Sequence, residues 1–256
     1  MDNPFDLSGK AAIVTGGNGG IGLGMAEGLA RAGASLVVVG RNAAKNEAAL
    51  ARLAKLGARA IAVQADVARR DAWQRIVAAA LGEFGRIDVL VNNAGISLRK
   101  APQDFSLEEW RDILDTNLTA AFLGAQAVYP EFKRLGAGKI INTGSLCSIL
   151  GGAFNVPYTA SKGGILQLTR GLAVAWAKDN IQVNAVLPGW IETDLSKRAR
   201  ASIPGLDERV LARSPAGRWG RPEDHAGVAV FLASRASEFI TGAAIPVDGG
   251  YSIQLL

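Results

Sequence analysis

Short β-branched runs alternate with alanine- and leucine-rich stretches of helical length from one end of this chain to the other, and that rhythm limits the folds open to it more than any other feature. Strands are predicted at 11–15 (AAIVT), 35–40 (SLVVVG), 60–64 (AIAVQ), 87–92 (IDVLVN), 139–143 (KIINT), 181–187 (IQVNAVL) and 243–247 (AAIPV). Helical stretches fall at about 20–32, 43–56, 69–84, 107–134, 158–179 and 222–233, the first three closed by glycine-containing stops. The strands are continuously apolar rather than alternating, so both of their faces must be covered. Seven such strands separated by helices predict an α/β chain: a doubly wound, Rossmann-type parallel seven-stranded sheet with helices on both faces. No Pro/Gly/Ser linker and no repeat divides the chain, so residues 1–256 read as a single domain. Two segments break the rhythm, a turn-rich loop at 93–106 and a long Pro-, Gly- and Arg-rich stretch at 188–221. Each follows the carboxyl end of a strand, where open α/β sheets bind ligands. The longer one reads as a substrate lid.

Composition narrows the chemistry. Cys147 is the only cysteine and His225 the only histidine, which leaves no internal disulfide and no histidine- or cysteine-based metal site, so no metal is expected. The start, MDNPFDLSGK, has no apolar signal region, and the longest uncharged run, between Lys139 and Lys162, is broken throughout by Asn, Gly, Ser, Thr and Pro. A cytoplasmic protein with no membrane span is expected. Twenty-eight basic against 23 acidic residues give a charge of +5. The basic residues are scattered and dense only at "SKRAR" (196–200), which argues for an anionic small molecule and against nucleic acid.

The first predicted strand runs into "TGGNGGIG" (15–22) and then a helix. Glycines there let the backbone approach a pyrophosphate, whose charge the helix N-terminus holds. The second strand ends "VVVGRN" (37–42), with Arg41 where an acidic residue would select NAD. Its guanidinium suits a 2′-phosphate, which favours NADP(H) over the alternative, NAD(H), although a plain surface arginine reads the same in sequence. In "PYTASKGGI" (157–165) a proline opens a helix on which Tyr158 and Lys162, four apart, share one face. A phenol is a poor base near neutral pH, and an adjacent lysine can lower its pKa. Ser145 follows a buried strand, and Asn117 interrupts the apolar stretch "NLTAAFLGAQAV" (117–128), where asparagine is a poor helix former.

Taken together, the 15–22 turn, "NNAG" (92–95), Asn117, Ser145, Tyr158 with Lys162, and Pro188–Gly189 followed by Thr193 resemble the short-chain dehydrogenase/reductase family, in its order and over nearly the whole chain. The resemblance implies reversible hydride transfer between a nicotinamide and a substrate carbon. In it, Tyr158 is general acid or base, Ser145 orients the substrate oxygen, Lys162 tunes Tyr158 and holds the nicotinamide ribose, and Asn117 supports a proton relay. It further implies that Gly16, Asn18, Gly20, Ile21, Asp66, Val67, Asn93 and Gly95 line the adenosine and pyrophosphate side. Pro188, Gly189, Ile191 and Thr193 would line the nicotinamide side. "SPAGRWGRPED" (214–224) and Arg99 are similar to sugar-acid dehydrogenases within the family, which makes a sugar or sugar acid the expected substrate, with Arg99, Phe154 and Trp190 beside it. A 3-oxoacyl thioester reductase is the alternative enzyme, and a non-catalytic nucleotide sensor the alternative of another class. Small residues along the stretches at 107–134 and 158–179 suit helix pairing between subunits, and a homotetramer is expected.

Overall fold

The computed structural model describes residues 3–254. Seven strands, β1 (Ala11–Thr15), β2 (Ser35–Gly40), β3 (Ala60–Gln64), β4 (Val89–Asn92), β5 (Gly138–Thr143), β6 (Ile181–Pro188) and β7 (Ala244–Val247), form one sheet in the order β3-β2-β1-β4-β5-β6-β7. Every pairing is parallel. β1 pairs β2 on one side (Ile13 opposite Val37) and β4 on the other (Ile13 opposite Leu90). Strand order reverses across β1, which opens a crevice at the carboxyl ends of β1 and β4.

The uninterrupted apolar strands serve two cores, one on each face. Ile13, Val37, Val39, Leu90 and Ile140 point into the core that holds Trp73, Val128 and Phe132. Ala12, Val14, Leu36, Val38, Val89, Val91 and Ile141 point into the core with Met25, Leu29 and Leu232. Helices α3 (Arg70–Phe84), α5 (Ala120–Leu135) and α6 (Val156–Trp176) supply the first, and α1 (Gly20–Arg31), α2 (Ala43–Ala54) and α9 (Ala226–Ala233) the second. Truncating a fully buried ring such as Phe132 to alanine in packing of this kind costs about 3–5 kcal/mol.

Three predicted elements come out differently. The stretch at 107–134 is not one helix: α4 (Leu107–Leu114) leads into a π turn, Asp115–Thr119, before α5 begins. The predicted helix at 222–233 opens with a 3-10 turn, Pro222–His225. The 188–221 segment, read as a Pro-, Gly- and Arg-rich break in the rhythm, contains α7 (Asp194–Ser202) and α8 (Leu206–Arg213) and has a small core of its own. Leu206, Val210 and Trp219 are buried there against Trp190, Ala199 and Ile203. These apolar contacts join residues on separate short pieces rather than lining one helix, so they leave no single helical period in the sequence.

Candidate active site

The crevice at the end of β1 is floored by the glycine-rich turn. Gly16 takes φ 62° and donates its N–H to Val39 O at 2.8 Å. A side chain on Gly22 would meet Gly16 O at 2.3 Å, so the first turn of α1 folds back directly on the loop. No side chain caps α1, whose N-cap is Gly19, and its first N–H groups face the crevice. Asn93 clamps the turn by donating Nδ2–H to Thr15 O (3.2 Å) and Gly16 O (3.3 Å). Thr15 Oγ1 accepts from the N–H groups of Asn93 and Ala94 and donates to Val91 O, tying β1 to the end of β4. Asn18 donates to Asn46 Oδ1 at 2.7 Å, and Asn46 donates to Gly40 O, so glycine turn, β2 and α2 are joined at one corner. Arg41 stands exposed at that corner, and among the described residues its guanidinium has no ion-pair partner. Asp66 accepts from Ala68 N–H at 3.1 Å, capping the turn after β3, and Val67 beside it is buried.

The second group gathers at the ends of β5 and β6. Ser145, just past β5, accepts from Cys147 N–H at 3.1 Å. Ser148 receives Ser145 N–H and donates to Lys162 O at 2.7 Å, pinning the serine loop to α6. Pro157 sits in the first turn of α6, which carries Tyr158 and Lys162. Lys162 is 4% exposed and donates to Thr143 O at 2.7 Å, with Nζ 5.6 Å from the centre of the Tyr158 ring. Asn117, in the π turn, uses its whole amide. Oδ1 accepts Ile96 N–H at 2.8 Å, while Nδ2 donates to Ile96 O and to Ser161 Oγ. The turn widens to an i to i+5 bond from Ala120 N–H to Asp115 O, which aims the amide inward. Thus α6, the β4 loop and the β5 loop are locked together around Lys162.

Burial dominates the electrostatics. Desolvation pushes the Tyr158 phenol up to about 12, against a smaller downward pull from its hydrogen bond with Ser145. Desolvation likewise pushes Lys162 down to about 8. In this arrangement burial, rather than Lys162, sets the direction at the phenol, and the same burial destabilises the ammonium. At neutral pH Tyr158 holds its proton.

The third group forms the rim. Gly189 donates to Val247 O, and buried Ile191 forms a bridge to Gly220. Thr193 caps α7 in a reciprocal pair with Ser196. Arg99 lies 5.4 Å from the centre of the Phe154 ring, both exposed at the mouth. Trp190 meets Trp219 edge-on at 5.5 Å, and Arg200 stacks on Trp219 at 3.8 Å, so within the otherwise largely exposed "PAGRWG" stretch it is Trp219 that packs. Asn46, Ser148 and Ser161 escaped the sequence reading, and Thr15 entered it only as the first residue of the glycine-rich turn. Only Asn46, a buried asparagine inside a helix, carried a local signal. Among the described residues no cluster of His, Cys, Asp or Glu could hold a metal ion, and no helix is long and apolar enough to cross a membrane.

Comparison with known proteins agrees with this geometry. A family profile described as enoyl-(acyl carrier protein) reductase matches residues 16–252. The gluconate 5-dehydrogenase of Gluconobacter oxydans (strain 621H) is 42% identical over 257 residues, covering 100% of both chains. The 2-dehydro-3-deoxy-D-gluconate 5-dehydrogenase of Escherichia coli (strain K12) is 43% identical over 96% of this chain and 97% of its own. The crystal structure of a gluconate 5-dehydrogenase from Burkholderia cenocepacia J2315 in complex with NADP and tartrate is 38% identical, with a TM-score of 0.92 over 98% of each chain. With the motifs in place on this sheet and likeness of this extent along its whole length, the chain belongs to the short-chain dehydrogenase/reductase family of oxidoreductases.

Proposed function

We propose that this enzyme interconverts a secondary alcohol and a ketone on a sugar acid, with NADP(H) as the preferred cofactor. The observation that carries the reading is half-buried Tyr158 over buried Lys162, locked beside Ser145 at the mouth of a glycine-floored crevice. The residues suit a dinucleotide: α1 begins without a side-chain cap, and at Gly19 a further atom would meet nothing within 4 Å. Gly16, Asn18, Gly20 and Ile21 would hold the pyrophosphate, with Arg41, Asp66, Val67, Asn93 and Gly95 along the adenosine. Pro188, Gly189, Ile191 and Thr193 would frame the nicotinamide, and Lys162 its ribose. The cofactor supplies a hydride acceptor or donor at its nicotinamide ring.

The chain's own residues handle the proton and the substrate oxygen. In reduction, Tyr158 donates its phenolic proton to the carbonyl oxygen as that carbon gains hydride. In oxidation, the Tyr158 phenolate takes the alcohol proton as the same carbon loses hydride. Ser145 holds the substrate oxygen against the phenol. Lys162 places a positive charge beside the phenolate when it forms, and Asn117 keeps Lys162's surroundings in register. A phenol pushed up to about 12 is the form that reduction needs at neutral pH.

Support for a sugar acid comes from the relatives named for gluconates and from Arg99, an exposed cation at the mouth that a carboxylate can pair with bidentately. Phe154 and Trp190 would wall the same space. The same relatives disfavour the acyl-thioester alternative, and the full set of Asn117, Ser145, Tyr158 and Lys162 argues against a non-catalytic sensor. We read the chain as one domain over 1–256 with a substrate lid at 188–221; residues 1–2 and 255–256 lie outside the described residues. Exposed Leu107 and Phe122 on α4 and α5 and Val174 on α6, with Phe239 and Ile253 near the carboxyl end, support self-association, and we read the protein as a cytoplasmic homotetramer. The test is a panel of 5-keto-D-gluconate, gluconate, 2-dehydro-3-deoxy-D-gluconate, neutral sugars and a 3-oxoacyl thioester with both cofactors. Fastest turnover of a sugar acid with the NADP couple supports the reading, and fastest turnover of the thioester overturns it.

A further inference from the structure

An ion pair crosses the mouth of the crevice. Lys45 Nζ lies 2.7 Å from Asp194 Oδ2, joining residues 149 apart in sequence. Lys45 stands in the first turn of α2, where its N–H is received by the cap residue Asn42, immediately after Arg41. The Asn18–Asn46–Gly40 bonds tie that turn to the glycine loop. Asp194 opens α7 from the other side, directly after Thr193, whose methyl lies 3.2 Å from where a side chain on Gly20 would begin. The pair therefore spans the cradle from the adenosine corner to the lid.

Both partners are well exposed, 56% and 66%, and Asp194 has a second cation, Lys197, at 4.0 Å. Exposed ion pairs of this kind contribute little, so exchanging one anion for another on Lys45 is cheap. A phosphate dianion carries more charge than a carboxylate and presents more acceptor oxygens, so it competes well for the same ammonium. Arg41, without an ion-pair partner among the described residues, lies four residues before Lys45, just ahead of the Asn42 cap of the same helix.

We propose that Lys45 is a second residue for the 2′-phosphate of NADP(H), engaged by Asp194 until that phosphate displaces the carboxylate. The proposal rests on the reading of NADP(H) as cofactor. It supplies the second positive charge that the glycine turn lacks, since Asn18 and Gly19 occupy that turn. It also makes Asp194 a competitor of the 2′-phosphate, and NAD(H), with no such phosphate, has nothing to exchange for it. The cofactor thereby alters what holds the first helix of the lid.

The test is calorimetric titration of the whole protein with NADP and with NAD for the wild type, K45Q, K45R, D194N and the K45Q/D194N double variant. Loss of one charge-assisted contact predicts that K45Q binds NADP about tenfold more weakly and NAD within about twofold of wild type. K45R should restore most of the loss. D194N should bind NADP about threefold more tightly, and that gain should vanish in the double variant. If K45Q shifts both cofactors by the same factor, or leaves NADP unchanged, Lys45 is only a tie for the lid and the proposal falls. Wild-type preference for NAD would sink the cofactor reading by itself. The ratio of the K45Q effects on the two cofactors still decides the role of Lys45 in that case.

Discussion

The proposed proton-handling centre and the proposed lid sit within one crevice but are held in opposite ways. Around Lys162 the contacts are buried or part-buried hydrogen bonds among neighbouring elements: Thr143 O, the Asn117 amide, Ser148 and Ser161. The lid has a three-residue core, and exposed ion pairs do much of the rest, such as Arg200 with Asp207 and Lys45 with Asp194. Buried hydrogen bonds to fixed partners tolerate little displacement, whereas exposed ion pairs exchange partners and are screened by salt. On the proposed reading, the chemistry is placed where geometry is stiff, and selection of substrate and cofactor where it is adjustable.

That contrast can be broken most sharply at its stiff end. Tyr158→Phe keeps the ring and removes the proton, so turnover should fall by about 10²–10⁴ in both directions while the affinity for cofactor, read by fluorescence titration, stays near wild type. Activity above a few per cent would refute the acid–base role. Next in size, Arg41→Asp should weaken NADP by about 10- to 100-fold and leave NAD unchanged or better, measured as kcat/KM for each cofactor. Equal effects on both cofactors would make Arg41 an ordinary surface arginine.

The pH profile sharpens the comparison further. Because burial holds the phenol up to about 12, oxidation, which needs phenolate, should accelerate between pH 7 and 9, by at most about tenfold per unit. Reduction, which needs the neutral phenol, should gain nothing over that range. Parallel profiles for the two directions would remove Tyr158 from the rate-limiting proton transfer. At the rim the effect is smaller: Arg99→Ala should raise KM for a sugar acid by about tenfold without moving KM for a neutral substrate of similar size. The smallest expected effect is dynamic. Amides of α7 and α8 should exchange hydrogen faster than those of α6 and slow when cofactor and substrate are added, and equal protection of the two regions would contradict the division.

Legibility in sequence follows the same division. β1, β2 and β3 stand at the predicted residues and the other four strands differ by no more than two at either end, because β-branched runs bounded by turns are local signals. The motif residues converge at one crevice, since their spacing reports a sheet whose order is dictated by parallel crossovers. The π turn could be sensed only as a misplaced asparagine, because what makes it worthwhile, the bonds to Ile96 and Ser161, comes from segments 21 and 44 residues away. Direction of the Tyr158 shift was not legible for a related reason. Charge is written in the sequence next to the phenol, whereas depth of burial is a property of the assembled fold. Nothing local in the sequence marks Lys45, because its partner stands 149 residues on.

The strand order also dictates when the protein first becomes able to bind anything as it leaves the ribosome. β1, β2 and β3 are neighbours, so one half of the sheet can assemble once Gln64 has emerged, glycine loop included. The residue that clamps that loop, Asn93, arrives only behind β4, and β4 must slot against the free edge of β1 before the clamp can close. Until then β1 exposes an unpaired apolar edge, the kind of edge on which newly made chains aggregate. Cofactor in the cell cannot rescue a chain stalled before that point, because the loop that would grip it is not yet held in shape. Replacing Asn93 should therefore lower the yield of folded protein during synthesis more than it lowers the stability of chains that have already finished folding.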